Sequence, residues 1–306
     1  MKGLELEEYL SNGVENIVKE IMRAALKNPQ ESLFMLQYAS DSKKASKLRR
    51  QKEEEGKHIP PFLIASITNQ CNLNCKGCYA RANKSCHDCT ASSAEDDGIL
   101  TAKDWNNIFT QASQLGIGFI LLAGGEPFMR KDVLSEAGKH KNILFPVFTN
   151  GTMIGEEYIK LLSSNRNLIP VLSIEGHKEA TNDRRGEGVY EKLCETMQNL
   201  DKRGILFAAS VTVNKRNLDE VLSKEFIDDL YMRGCKGVVF VEYVPADKTT
   251  KELALDDDSR QTMMKKLDQL RREKQDMLFI AFPGDEKSSG KGRGDFATRG
   301  ASFCIL

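Results

Sequence analysis

The sequence predicts an α/β protein whose fold is a partial (β/α)6 TIM-like barrel with an N-terminal helical extension. From residue 62 onward, short β-branched or aliphatic runs alternate with helical patterns, and six such runs occur. The runs are apolar throughout, and continuous apolar strands separated by crossover helices indicate a parallel sheet that is covered on both faces. With 306 residues and 40% hydrophobic content, the chain is large enough to fill such a core.

The segment before the barrel, residues 1–58, reads as two helices. Residues 5–25 carry apolar side chains at helical spacing, and a second helix at residues 32–55 ends in a charged stretch of both signs. Pro60 and Pro61 then begin an extended segment, because each proline removes a backbone donor and restricts the residue before it.

The remaining chain divides into strands and helices that follow one another in sequence. The apolar runs predict strands at residues 62–68, 118–122, 144–149, 169–174, 206–213 and 237–244. Helical patterns predict helices at residues 102–115, 131–141, 155–163, 189–203, 218–233 and 256–274. The predicted regions are an N-terminal helical extension (1–58), the barrel core (59–250), a C-terminal helix and strand (251–285) and a disordered tail (286–306).

The charge balance excludes some classes of partner. Lys plus Arg and Asp plus Glu both total 44, so the net charge is zero and bulk electrostatics recruits no nucleic acid. No apolar run approaches the roughly 20 residues of a membrane span, and the N-terminus lacks the apolar core of a secretory signal. We therefore expect a cytoplasmic protein with no membrane span.

Three cysteines, Cys71, Cys75 and Cys78, lie on one short loop after the first predicted strand. Three thiolates are one fewer than a closed structural zinc site requires, and they leave one iron of a cubane iron–sulfur cluster open to another ligand. Zinc remains an alternative, because Cys86 or Cys89 could complete a four-cysteine site. In either case the clustered cysteines fit metal binding in a reducing compartment.

A second motif, Gly-Gly-Glu-Pro at residues 124–127, follows the second predicted strand. Glycine suits a backbone that approaches a ligand closely or turns with positive φ, because no Cβ interferes. The acidic side chain of Glu126 suits an ammonium group. In parallel α/β barrels the ligand site lies at the carboxyl ends of the strands, and this motif and the cysteine loop both follow strands there.

The CxxxCxxC spacing of Cys71, Cys75 and Cys78, together with the motif at 124–127, resembles the core of the radical S-adenosylmethionine (radical SAM) superfamily over residues 62–245. The resemblance implies that the three cysteines hold a [4Fe–4S] cluster and that the amino and carboxylate groups of S-adenosylmethionine chelate its fourth iron. It also implies that the 124–127 segment contacts the methionine amino group. Relatives often carry a C-terminal SPASM or twitch extension, which we expect to be truncated here.

The same resemblance implies which residues contact S-adenosylmethionine. The family uses the ends of the fourth and fifth strands to hold the ribose and the carboxylate, often with an arginine after the fourth strand. No separate catalytic side chain is assigned. The predicted cosubstrate contacts are Tyr79, Gly124, Gly125, Glu126, Pro127, Asn150, Ser173, Glu175, Arg184 or Arg185, Ser210 and Asn214.

Two features need a separate interpretation. The family usually has an aromatic or imidazole side chain near adenine just before the third cysteine, where this chain has Gly77. Either Tyr79 compensates, or Gly77 contributes only its backbone.

Cys86 and Cys89 form a further CxxC, for which we favour a surface loop with incidental cysteines. The alternatives are half of a zinc site, a redox pair, or ligands of an auxiliary cluster.

The resemblance implies a radical SAM enzyme that receives an electron from a flavodoxin or ferredoxin-type donor. Cleavage of S-adenosylmethionine would give a 5′-deoxyadenosyl radical, which abstracts hydrogen from an unidentified substrate, a peptide or a small molecule. An exposed cluster implies an anaerobic setting, and the radical chemistry requires an element that covers the site. The N-terminal helices or the helix at residues 256–274 could supply this cover or dock a substrate, although packing on the surface is the simpler interpretation. The alternatives are a zinc-stabilised α/β binding protein and an iron–sulfur electron-transfer protein that does not cleave S-adenosylmethionine.

Overall fold

The chain forms a curled, fully parallel sheet of seven strands, so the predicted α/β partial barrel is confirmed. The computed structural model describes residues 29–82, 85–88, 99–245 and 248–282. Each strand of the sheet pairs with the next one along the chain. The strands are β1 (Leu63–Ser66), β2 (Ile120–Ala123), β3 (Phe145–Thr149), β4 (Leu168–Ser173), β5 (Ala208–Val213), β6 (Gly237–Glu242) and β7 (Leu278–Phe282).

Helices connect successive strands and cover the sheet. A single helical turn at Tyr79–Ala82 follows the cysteine loop, and short 3-10 turns occupy Pro127–Met129 and Lys248–Leu253. The helices are α1 (Pro29–Glu54), α2 (Ala102–Gln114), α3 (Lys131–Lys139), α4 (Glu156–Ser164), α5 (Lys178–Arg185), α6 (Val189–Lys202), α7 (Leu218–Val221), α8 (Lys224–Met232) and α9 (Asp257–Glu273).

The core lies between the sheet and these helices. Strand β4 is buried from Leu168 to Leu172, which is why its sequence is apolar without alternation. Phe109 of α2 packs edge-on against Phe145 of β3, with ring centroids 5.0 Å apart. Such contacts fix the strands rigidly, so their carboxyl ends form a stable platform for the loops that follow.

The sheet has one strand more than the six that the sequence predicts for the barrel. Strand β7 pairs in parallel with β6, with Gly237 opposite Leu278, and so belongs to the same sheet. The guanidinium of Arg271, near the end of α9, donates to the Phe279 carbonyl at 2.9 Å and joins the last helix to this strand. The predicted C-terminal helix and strand therefore continue the β/α repeat.

Two helices differ from the sequence prediction. Helix α5 is absent from the prediction, because its residues are almost all polar and show no apolar periodicity. The single helix predicted at 218–233 is divided into α7 and α8, since the Ser223 hydroxyl accepts a hydrogen bond from the Phe226 amide and caps a new helix.

Helix α1 packs against the amino ends of the strands. The Tyr38 hydroxyl donates to the Gly118 carbonyl at 2.7 Å, just before β2. The buried Glu31 carboxylate pairs with Arg166 at 2.6 Å, just before β4. Burial raises the pKa of Glu31, although Arg166 acts in the opposite direction. Helix α1 thus packs at the face opposite to the carboxyl ends, in agreement with the simpler interpretation of packing on the surface.

Other sequence predictions fall outside the described residues. These are the helix at 5–25, the disordered tail at 286–306, and Cys89 of the second CxxC. In the part of the chain that is described, no helix combines the length and hydropathy that a membrane crossing needs.

Candidate functional site

The cysteine loop leaves the carboxyl end of β1 and carries three half-buried thiols. Cys71, Cys75 and Cys78 are all partly accessible. The Leu73 amide points at the Cys71 sulfur at 3.5 Å, and the Cys78 amide donates to the Cys75 carbonyl at 3.3 Å. The loop backbone therefore folds around the sulfur atoms while leaving them open to a ligand.

The Gly-Gly-Glu-Pro segment supports this loop directly from the end of β2. The Gly125 amide donates to the Thr68 carbonyl at 2.8 Å, and the Glu126 amide donates to the Gln70 carbonyl at 2.7 Å. A Cβ at Gly124 would overlap the Thr68 carbonyl oxygen, and one at Gly125 would overlap that of Gln70. Glycine is required here because two backbones meet, and this contact holds the cysteine loop in place.

The Glu126 carboxylate is buried and joins the ends of β2 and β3. Its oxygens accept hydrogen bonds from the Phe128 amide at 3.0 Å, the Thr149 hydroxyl at 2.7 Å and the Asn150 amide at 2.8 Å. Burial raises the pKa of Glu126, while these hydrogen bonds lower it. The carboxylate therefore fixes the backbone of the site, and its predicted contact with the methionine amino group stays a prediction.

Glu175, at the end of β4, is buried between two arginines. Its Oε1 accepts from Arg184 Nη1 at 2.5 Å and from Arg185 Nε at 2.9 Å, and its Oε2 accepts from the Thr212 amide at 3.2 Å. Helix α5 also joins the cysteine loop, because the Lys76 amide donates to the Arg184 carbonyl at 2.8 Å. Glu175 thus places two positive charges beside the thiols.

The arginine pair changes the electrostatics of Cys75. Burial raises the pKa of this thiol, whereas Arg185 and Arg184 lower it. Burial lowers the pKa of Arg185, but Glu175 together with Cys75 and Cys78 raises it, so that the net shift is upward. The site therefore offers positive charge to the thiolate form, which is the form that binds metals.

Replacing Glu175 by glutamine is expected to destabilise the protein by about 3 kcal/mol, because two largely buried guanidinium groups lose their anionic partner. The matched control is Glu179→Gln on the same helix, whose exposed side chain should cost less than about 0.5 kcal/mol. Denaturant unfolding of both variants measures the difference. Equal stabilities of the two variants would mean that the arginine pair does not depend on Glu175.

The remaining predicted cosubstrate residues lie at several places on this face. Asn150 is buried at the end of β3, and its Nδ2 lies 2.8 Å from Asn72 Oδ1 and 4.0 Å from the Cys71 sulfur. Asn214 Oδ1 accepts from the Arg216 and Asn217 amides, so it shapes the turn before α7. Pro127 is buried in the 3-10 turn after β2.

Three further predicted residues differ in accessibility. Ser173, the last residue of β4, is partly exposed, whereas its pairing partner Ser210 is buried within β5, three residues before the end of that strand. Tyr79 begins the helical turn after the third cysteine and is 58% exposed. Contact of these residues with S-adenosylmethionine stays a prediction.

Cys86 lies beside the cysteine loop instead of on the surface. Residues His87–Asp88 form a short parallel ladder with Gln70–Cys71, which brings the preceding residue inward. Cys86 is only 5% exposed, and its thiol is in hydrogen-bonding contact with Cys71. The interpretation of this segment as a surface loop is therefore wrong for Cys86.

The three thiols can each serve as a ligand of an iron–sulfur cluster. Among the described residues, which do not include Cys89, no three His, Cys, Asp or Glu side chains are grouped around one point. A cubane cluster spreads its cysteine ligands over separate irons, so three thiols on one loop suit it without converging on a point. The neighbouring arginines suit the negative charge of thiolate ligands.

Sequence reasoning missed residues that complete this face. Asn72, inside the cysteine motif, connects the loop to Thr152 through a hydrogen bond of 2.9 Å. The Thr149 hydroxyl donates a hydrogen bond to the Glu126 carboxylate. Tyr243, just after β6, lies against Gly77. In the sequence, the only indication of a role for Thr149 and Tyr243 is their position at the end of a strand. Their contact partners lie far away along the chain and cannot be recognised from the local sequence.

A sequence profile described as the radical SAM superfamily matches residues 65–227, which is more than half of the chain. The chain belongs to the radical SAM superfamily. This match contains the cysteine loop, the 124–127 segment and the Glu175–Arg185 pair described above. The cofactors of radical SAM proteins are a [4Fe–4S] cluster and S-adenosylmethionine, as the sequence predicts.

Curated radical SAM relatives resemble part of the chain. Fe-coproporphyrin III synthase of Methanosarcina barkeri is 29% identical over 189 residues, which cover 61% of this chain and 44% of the synthase. Sporulation killing factor maturation protein SkfB of Bacillus subtilis is 27% identical over 169 residues, covering 54% of this chain and 38% of SkfB. The matches span less than half of each of these relatives. The expected truncation of a SPASM-type extension stays a prediction.

Solved radical SAM structures share the fold. Streptococcus suis SuiB bound to S-adenosylmethionine superimposes with a TM-score of 0.59 and 17% identity, covering 81% of this chain and 52% of SuiB. The protein anSMEcpe with bound AdoMet and Cp18Cys peptide gives a TM-score of 0.56 and 20% identity, covering 72% of this chain and 63% of anSMEcpe. At these identities the likeness supports the barrel architecture alone.

Proposed function

We propose that this chain is a radical SAM enzyme that binds a [4Fe–4S] cluster through Cys71, Cys75 and Cys78 and cleaves S-adenosylmethionine reductively. The observation that carries the proposal is three half-buried thiols on one loop at the carboxyl ends of the strands, where the Lys76 amide joins the loop to the Arg184 carbonyl and Arg184 and Arg185 act on Cys75. When bound, the reduced cluster supplies the electron that breaks a carbon–sulfur bond, giving methionine and, after hydrogen transfer from a substrate, 5′-deoxyadenosine.

The residues of the chain prepare the site for this chemistry by holding charge and backbone in fixed positions. Burial disfavours ionised thiols, and the guanidinium groups beside Cys75 compensate for part of that cost. Glu175 keeps the arginines in position, and Glu126 keeps the 124–127 backbone under the cysteine loop. Both carboxylates are therefore proposed to act as positioning residues, since the protein already occupies their oxygens.

We propose a peptide as the substrate class. Support comes from SkfB, a maturation protein, and from the structural neighbours SuiB and anSMEcpe, whose structures include precursor peptide SuiA and the Cp18Cys peptide. A small molecule is the second candidate, because the curated relatives include Fe-coproporphyrin III synthase and AdoMet-dependent heme synthase. A peptide library and iron coproporphyrin III are suitable probes, and the true substrate class should increase 5′-deoxyadenosine formation.

The proposed electron donor is a flavodoxin or a ferredoxin, because reductive cleavage needs a low-potential electron from outside the site. A cytoplasmic and anaerobic setting is part of the same proposal, since clusters with an open iron position are sensitive to oxygen. The absence of a membrane-crossing helix in the described part of the chain agrees with this setting.

Anaerobic reconstitution with iron and sulfide tests the proposal. We expect about four irons per chain, a brown protein, and dithionite-dependent formation of 5′-deoxyadenosine from S-adenosylmethionine. One bound zinc and a colourless protein would support the zinc-stabilised binding protein instead. A stable cluster without nucleoside formation would support the electron-transfer protein, and either result would overturn the enzyme proposal.

A further inference from the structure

Cys86 is a fourth thiol beside the cysteine loop, and the proposed function does not use it. Its amide donates to the Ala80 carbonyl at 3.0 Å, so its backbone is fixed on the helical turn that follows the loop. The pairing of His87 with Gln70 then brings Cys86 next to the start of the loop. Cys86 is only 5% exposed, and its thiol is in hydrogen-bonding contact with Cys71. The protein therefore holds Cys71 and Cys86 as a thiol pair.

The hydrogen bond selects Cys71 among the thiols near Cys86. Cys78 and Cys75 act on Cys86 through their charge, whereas Cys71 is its hydrogen-bond partner. A hydrogen bond is the closest approach of two sulfur atoms short of the covalent S–S bond. Cys71 is thus the nearest candidate for a disulfide with Cys86.

The two members of this pair differ in their access to solvent. Cys71 is partly accessible, whereas Cys86 is buried. An oxidant from solvent therefore reaches Cys71 first. One accessible thiol next to a second thiol is the arrangement of reversible redox sites, in which the second cysteine resolves the product formed on the first.

Reversibility matters at Cys71 because this residue is a proposed cluster ligand. A thiol that is oxidised beyond the sulfenic acid to the sulfinic acid is not recovered by thiol reductants. One such event at Cys71 would leave two motif thiols, which is too few for a cubane cluster with three protein ligands. A neighbouring thiol that intercepts the sulfenic acid prevents this loss.

We infer that Cys86 is the resolving thiol of Cys71 and forms a disulfide with it when a peroxide oxidises the chain without its cluster. This inference rests on the proposed function, which makes Cys71 a cluster ligand. The Cys71 sulfur attacks hydrogen peroxide and breaks its O–O bond, giving a sulfenic acid and one water. The Cys86 sulfur then attacks the Cys71 sulfur, an S–S bond forms, and a second water leaves. The two thiols lose two electrons and two protons, and the peroxide is reduced to two waters.

The environment of the pair makes this reaction slow. Burial raises the pKa of Cys71 to about 11 and also raises the pKa of Cys86, so the reactive thiolates are scarce at neutral pH. The disulfide therefore suits protection during long exposure to an oxidant and not rapid signalling. A thiol reductant returns both cysteines, after which a cluster can be assembled on the loop.

The test treats the whole chain without its cluster with hydrogen peroxide, alkylates the remaining thiols and maps the peptides by mass spectrometry. Wild-type protein should give a peptide pair that is linked between Cys71 and Cys86. In the variant Cys86→Ala, the fraction of Cys71 present as sulfinic acid should rise at least about five-fold, because no thiol resolves the sulfenic acid. Before oxidation, the reduced variant should bind as much iron as the wild type.

Cys194→Ala is the matched control, because it removes a half-buried thiol outside the cysteine motif, and it should give the wild-type result. After peroxide treatment, reduction with dithiothreitol and reconstitution, this control should regain more iron than Cys86→Ala. A link from Cys86 to Cys89, a link from Cys71 to another motif cysteine, or equal sulfinic acid in Cys86→Ala and the wild type would overturn the inference.

The iron content before oxidation separates this inference from the proposed function. Less iron in reduced Cys86→Ala than in the wild type would make Cys86 part of the cluster site and overturn its role as a resolving thiol. Reduced wild-type protein that takes up no cluster would overturn the proposed function, whereas the linked peptides report the disulfide independently. The two failures are therefore distinguishable.

Discussion

Replacing Cys75 by alanine should reduce the iron bound after anaerobic reconstitution to background and abolish 5′-deoxyadenosine formation. Two thiolates cannot replace three in holding a cubane cluster, and Cys75 is the thiol that Arg185 and Arg184 both favour in its ionised form. Iron and sulfide analysis with optical spectra measures the first effect, and chromatography of the dithionite-treated reaction measures the second.

Cys194→Ala provides the control for cysteine removal. Cys194 is a half-buried thiol on α6 next to Tyr190 and Arg233, and it is not part of the cysteine motif. This variant should bind as much iron as the wild type. If Cys75→Ala also retained wild-type iron, the assignment of Cys75 as a cluster ligand would be wrong and another thiol would have to replace it.

The positions of the first six strands of the barrel could be predicted because each strand is a separate apolar run. In β3 and β4 nearly every residue is buried, so composition alone marks the strand. Helix α5 could not be predicted in this way, because its residues are polar and it is held by Glu175 and by the cysteine loop. Helix α5 is stabilised by tertiary contacts, which cannot be recognised from the sequence of the helix itself.

The candidate site could be predicted as a set of motifs but not as a set of contacts. The sequence analysis predicts that Glu126 and Glu175 contact the cosubstrate. In the structure both carboxylates are buried and accept hydrogen bonds from the protein. An acidic residue in a motif does not reveal whether it faces a ligand or a backbone amide. The pairing of Gly77 with Tyr243 was equally hidden, because it joins the first loop of the barrel to the end of β6.

The glycines of the 124–127 motif illustrate why a correct motif can have a different physical cause. The sequence alone favours a close approach to a ligand or a positive φ. Gly124 does have a φ of +126°, but the atoms nearest to a Cβ at Gly124 and Gly125 belong to Ser66 at the end of β1 and to Thr68 and Gln70 of the loop that follows. The motif therefore supports the cysteine loop through backbone packing, and a single added methyl group is expected to disturb that loop.

Gly125→Ala should consequently lower both the stability of the protein and its capacity to hold a cluster. The added Cβ would overlap the Gln70 carbonyl, a backbone atom that cannot rotate away as a side chain can. We expect a loss of about 3 kcal/mol in unfolding free energy, the upper part of the range for overpacking. Iron bound after reconstitution should fall several-fold, because Gln70 directly precedes Cys71. Denaturant unfolding and iron analysis measure the two effects.

Gly155→Ala is the matched control, since no atom lies within 4 Å of a Cβ built at Gly155. This residue precedes α4 with a φ of −97°, so alanine should cost at most about 1 kcal/mol as a weaker helix cap. Its iron content should equal that of the wild type. If Gly125→Ala behaved like Gly155→Ala in both measurements, the 124–127 backbone would not support the cysteine loop, and the motif would have to act through the ligand instead.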